Sequence, residues 1–130
     1  MNNLTVLLGR IGLALIFILS GWSKIAGYDG TQQYMEAMGV SGALLPLVIV
    51  VELGGGLAIL GGLATRWAAL GLAGFTLLAA VLFHANLGDQ NQFISFMKNV
   101  AIAGGFLILA TQGAGSFSLD TLWKARRNRA

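Results

Sequence analysis

Four apolar stretches of about 20 residues each fill most of this chain, and each carries an ionisable residue at or inside its edge: Arg10, Glu52, His84 and Lys98. At about 1.5 Å of rise per residue, such a stretch crosses roughly 30 Å of hydrocarbon as a helix. A charge at the centre of such a helix costs roughly 2.5–3.5 kcal/mol on insertion scales. Four of them in so apolar a chain imply a polar interior between helices. The expected fold is all-α, an integral membrane bundle of four transmembrane helices.

Composition supports the same class. Of 130 residues, 56% are hydrophobic and only 10% charged, too little polar surface to clothe a soluble domain. The bilayer must act as the solvent. A single domain over residues 1–130 is expected, with spans at 4–21, 43–63, 67–87 and 93–111 and a basic tail at 112–130. The first stretch differs from a signal peptide, because residues 1–5 hold no basic side chain and Arg10 falls inside the apolar run. It is expected to be retained. In the loop that follows, Asp29 and Gln32 would form a capping box ahead of residues 34–38, with Gly39 as the stop of a short interfacial helix.

The formal net charge of +3 would suggest nucleic acid in a soluble protein. Here Lys124, Arg126, Arg127 and Arg129 follow the last span, so they read as a topology signal and no nucleic-acid partner is implied. Arg66 joins them on one side, while Lys24 stands with Asp29, Glu36 and Asp89 on the other. Both termini are therefore expected on the cytoplasmic side of a plasma membrane. Trp22, Tyr28, Trp67 and Trp123 fall near span ends, at headgroup level. The lack of cysteine removes thiolate catalysis and iron–sulfur clusters, and a single histidine removes a bis-histidine haem within one chain. One His and one Glu among lysines and arginines are too few ligands, and too positive a setting, for a metal.

Lipid tails provide no hydrophobic force between helices, so small residues must let backbones approach. Gly54, Ala58 and Gly62 form such a ladder, and Gly54–Gly56 and Gly104–Gly105 would allow similar contact. Helical spacing places Arg10, Ala14, Phe17, Gly21 and Lys24 on one stripe. Glu52 shares a face with Gly55, Gly56 and Ile59; His84 with Ala73, Leu77 and Ala80; and Lys98 with Ala101 and Gly105. From depth along the helices, Arg10 and Glu52 are expected to form a buried structural ion pair. Lys24, Glu52, His84 and Lys98 would outline a pocket opening toward the outer face, with Asn99 and Gln92 as neutral neighbours. Against this stand plainer readings: a purely structural role for Arg10, and snorkelling for Lys24 and Lys98.

Residues 9–12 (GRIG) and 21–24 (GWSK), the ELGGG run at 52–56 with Gly61–Gly62 and Thr65–Arg66, His84, and Lys98–Asn99 followed by Gly104–Gly105 together resemble the DoxX family. The resemblance covers nearly the whole chain and is similar to the short bacterial inner-membrane members. It implies four membrane helices and, for some members, service as a small subunit or partner of quinone-linked oxidoreductases. Two function classes follow. In one, His84 and Lys98 hydrogen-bond the carbonyls of a bound quinone and Glu52 exchanges protons, while a separate redox protein supplies electrons. In the other, the chain is a noncatalytic subunit whose basic tail docks a cytoplasmic partner or anionic lipid. A small-solute transporter is a third reading; it would require a homo-oligomer, since no inverted halves are evident.

Overall fold

The computed structural model describes residues 3–129, with only the backbone of Arg129 included, so the expectation placed on that side chain lies outside the described residues. Four helices are long and apolar enough to span a membrane: Asn3–Ala26, Gly42–Gly61, Thr65–Phe83 and Gln90–Gln112. The first, third and fourth are the helices α1, α5 and α6. The first helix runs past the expected end at residue 21, and the third stops short of residue 87. Among the described residues there is no strand.

Helix α1 runs 24 residues through leucine, isoleucine and alanine without a proline and stops at Gly27. Helix α2, Tyr28–Ala37, begins at once beyond that glycine. Its N-terminus has no side-chain cap, so the Asp29–Gln32 capping box does not form. The Gln32 amide is instead drawn across to the next segment, where Nε2 donates to the carbonyl of Gly42 at 3.2 Å. Gly39 does stop the helix: at φ +81° it lets its own N–H bond Glu36 O and the Val40 N–H bond Met35 O.

The second span is not a uniform helix. A 3₁₀ turn, Gly42–Leu44, leads into α3, Leu45–Ile49, where Pro46 sits in the first turn, the part of a helix whose N–H groups have no intrahelical partner to lose. A π turn, Val50–Gly54, then carries Glu52, and α4, Gly55–Gly61, completes the span. The turn into α5 requires left-handed backbone at Gly62, φ +71°, and at Ala64, φ +48°. Helix α7, Leu119–Arg129, forms most of the tail.

The bundle divides into two packed pairs, α1 against the second span and α5 against α6. Glycine sets the first interface. A Cβ at Gly21 would lie 3.0 Å from Leu53 Cβ, and one at Gly56 would lie 2.9 Å from Ile18 Cγ1. Gly55 meets Leu72 and Gly105 meets Leu13 in the same way. Gly54 and Gly104 have open space around them, so of the Gly54–Ala58–Gly62 ladder only the Gly62 end makes a close approach, to Ser118 and Arg10. Phe17 and Phe106, edge to face at 5.4 Å, join the two pairs at the centre.

Candidate functional site

The buried stripe of α1 is Arg10, Ala14, Phe17 and Gly21, so its two cations work at opposite ends of the bundle. Arg10, 1% exposed, does not meet Glu52. Its guanidinium donates to four carbonyls: Nε to Ile59 (3.0 Å), Nη2 to Leu60 (2.8 Å), and Nη1 to Ala114 and Phe117 (2.7 Å each). Ile59 and Leu60 lie in the last turn of α4, where the carbonyls carry the negative end of the helix dipole; the Ile59 oxygen also accepts from the Gly62 N–H at 3.2 Å. Those oxygens supply the countercharge that Glu52 was expected to give.

Asp120 completes the same knot. Its carboxylate accepts from the N–H groups of Ala64 (2.7 Å) and Thr65 (2.9 Å), capping α5 from a distant part of the chain, and its own N–H bonds Gly62 O at 2.9 Å. Burial alone would raise the Asp120 carboxyl; the bonds from Thr65 and Ala64 and the nearby Arg10 charge outweigh it and hold the group below the usual aspartate range. Nothing in the sequence singles out Asp120. A lone acid ahead of a basic run gives no hint of a partner 55 residues away.

At the other end Glu52, 4% exposed, pairs with Lys24: Nζ to Oε1 is 2.8 Å. The pair lines a cavity of about 430 Å³ between the two helix pairs, a size in the range of small-molecule sites. Most of its wall is apolar, from Ile16 and Phe17 on α1 through Val48 and Val51 to Phe75 and Leu82 on α5. Helix α2 covers it with Thr31, Tyr34 and Met35, and Tyr34 stacks on Phe83 at 5.7 Å. His84, the residue that ends α5, also lines the space.

The structure thus brings Lys24, Glu52 and His84 to one cavity and leaves Lys98 out of it. Lys98 is exposed on α6, because the buried face of that helix is set by Ala103, Phe106, Leu109 and Ala110, offset by one position from the expected stripe. With Phe106 held against Phe17, the lysine is left facing outward, where its long stem can carry the ammonium toward headgroups. Asn99, its neighbour, lines the cavity and donates Nδ2 to the carbonyl of Thr76 at 3.2 Å. Gln92 accepts from the Asn86 N–H in the loop instead. Thr76 is one of the cavity residues that the sequence does not single out. It is 3% exposed, and its hydroxyl has no hydrogen-bond partner among the described residues. No group of three or more His, Cys, Asp or Glu gathers among the described residues.

The chain is 57% identical to the inner membrane protein YqjF of Escherichia coli (strain K12), over 94% of each chain. It is 41% identical to the inner membrane protein YphA of the same organism, over 88% of this chain and 87% of the relative. A putative oxidoreductase, CatD of Bacillus subtilis (strain 168), is 34% identical over 58% of this chain and 56% of its own. No solved structure matches the chain. With these relatives and its four apolar spans, the protein is a multi-pass protein of the inner membrane. The DoxX family model matches residues 5–85, which run from α1 through His84, and the chain belongs to the DoxX family.

Proposed function

We propose that this protein is an accessory subunit of membrane redox chemistry that holds a quinone headgroup in the cavity beneath α2. The observation that carries the reading is the ion pair of Lys24 and Glu52 at 2.8 Å, set with His84 in an otherwise mainly apolar cavity of about 430 Å³. A ring with oxygen substituents and an apolar tail suits that lining. Lys24 donates to a ring oxygen, His84 donates or accepts at the rim, and Glu52 is placed to hold or release a proton beside them. A quinone supplies two-electron chemistry coupled to two protons, and the electrons would come from a separate redox protein. The family relation to a protein named a putative oxidoreductase supports the same direction.

The test is quinone extraction and native mass spectrometry on protein purified gently from its own membrane. The wild type is expected to carry quinone in near-stoichiometric amount, and His84→Ala and Glu52→Gln to lose it while remaining helical by circular dichroism. Retention of quinone by both folded variants would overturn the reading.

The exposed α7 favours a second reading, partner docking. Leu119 and Trp123 lie in the open on the same helix as exposed Lys124, Arg126 and Arg127. If docking is the role, reversing Arg126 and Arg127 to Glu loses a defined protein partner in native pull-downs, and unchanged recovery counts against it.

A further inference from the structure

The walls of the cavity are not equally closed. Phe17, Met35, Glu52 and Thr76 line it and are each no more than 6% exposed, so they belong to packed walls. Leu44 and Leu47 on the second span and Leu78 and Leu82 on α5 line the same cavity, yet they are 47%, 60%, 57% and 42% exposed. The packing of the helices explains the contrast. α3 lies on α1 and on the π turn, and the second span reaches α5 through α4 at the far end, so α3 and α5 form no packed pair. Counted inward from Gly42 and from Phe83, Leu44 and Leu82 stand near the span ends, and Leu47 and Leu78 both stand roughly 8 Å deep. The four leucines thus flank the seam at two matching levels. On the side of α1 and α6, Ser20, Asn99 and Ile102 are half-buried and Ile16 is the one exposed lining residue. The end nearest water is covered by α2, where Tyr34 stacks on Phe83 at 5.7 Å.

We infer that the cavity takes its ligand from the bilayer through a side opening between α3 and α5, and that the ligand leaves its apolar chain in that opening. A leucine-lined gap at hydrocarbon depth admits an alkyl or isoprenoid chain, which meets there the surroundings it has in lipid. A hydrated solute would have to shed its water to pass. A cavity of about 430 Å³ lies toward the small end of the range for drug-sized ligands, so a ring with a long chain fits only if the chain passes out of it. The ligand class is then a small polar ring on a long apolar chain, the ring at Lys24 and Glu52 and the chain between the leucines. This rests on the proposed quinone site and adds what that reading leaves open, the route of entry and the place of the chain.

The experiment uses the full chain in phospholipid nanodiscs and a fully substituted benzoquinone whose decyl chain carries a diazirine midway along it. Irradiation followed by peptide mass spectrometry locates the chain. Labelling is expected on α3 and α5 around the four leucines, and is expected to vanish when the same quinone without the diazirine is present in excess. Leu47→Trp combined with Leu78→Trp adds bulk at exposed positions on both rims. That double variant is expected to lose most of the labelling and still to bind the matching ring, with methyl in place of decyl, as the wild type does. Competed labelling confined to other parts of the chain overturns the inference and leaves the quinone site standing. A double variant that is labelled like the wild type, or that loses both rings equally, does the same. If no competed labelling occurs anywhere the inference fails, and the quinone site fails with it when the methyl ring does not bind either.

Discussion

Arg10 and Glu52 are both buried charges, but the fold neutralises them by different means. Glu52 has one flexible ammonium as its partner, whereas Arg10 spreads its charge over four backbone carbonyls. Arg10→Gln is therefore expected to destabilise the bundle by about 3–5 kcal/mol, the usual cost of breaking a buried charged network. Arg10→Lys should recover only part of that, because a point charge cannot reproduce the planar fork. Melting in detergent measures both, and a loss under about 1 kcal/mol for Arg10→Gln would contradict the network role. Because Arg10 lies at the end of the bundle away from the cavity, affinity at the proposed quinone site should be unchanged in whatever fraction remains folded. The burial of Arg10 and Glu52 was legible in their spacing on apolar faces. Their partners were not, since helix-end carbonyls carry no side-chain signature, and a one-position offset of the buried face of α6 exchanges Lys98 for Asn99 at the cavity.

Glycine and a single aspartate govern how the elements meet. Where α1 crosses the second span, Gly21 and Gly56 leave no room for a methyl group, so Gly21→Ala must displace Leu53, whose backbone N would be 3.1 Å from the new Cβ. A loss of about 1–3 kcal/mol is expected, the range for overpacking. Gly54→Ala serves as the control, since nothing lies within 4 Å of its added carbon. Its intact stability, set against the loss at Gly21, is the comparison that a uniform glycine effect would fail. At the other end, Asp120 caps α5 in the charged form with a folded pKa below the unfolded value of about 3.9. Its contribution is fully present above that unfolded value and is lost as pH falls through the folded one. Thermal melting followed from about pH 6 to about pH 3 should decline in the wild type more steeply than in Asp120→Asn, and identical slopes would remove Asp120 from the acid transition. Span lengths and the glycine stop at residue 39 could be read from composition and turn chemistry. The π turn at Val50–Gly54 could not, because its apolar and glycine residues suit an α-helix equally well.

At the scale of the whole molecule the two ends of the bundle are built for different tasks. One end is sealed: Arg10 gathers the end of the second span and the segment after α6, the Ser116 N–H bonds Asn3 Oδ1 at 3.2 Å, and Arg66 Nε donates to Ala110 O at 3.1 Å. The other end holds the cavity under the amphipathic α2, with His84 at the close of α5. Exposed Trp67 and Trp123 lie toward the sealed end and exposed Trp22 toward the cavity, as aromatic belts on the two faces of a bilayer would place them. Lys124, Arg126 and Arg127 extend from the sealed end, so the bias of basic residues puts that end in the cytoplasm and opens the cavity toward the outer leaflet. The sequence contains no cysteine, and a single introduced one therefore supplies the entire labelling signal. Gly88→Cys, in the loop beyond His84 where an added Cβ meets only Asn86 Oδ1 at 3.7 Å, should react with a membrane-impermeant maleimide in cells whose outer membrane has been permeabilised. Asn128→Cys on α7 should react only after the inner membrane is broken. The reverse pattern would turn the molecule over, so that the cavity would open to the cytoplasm and not to the outer face.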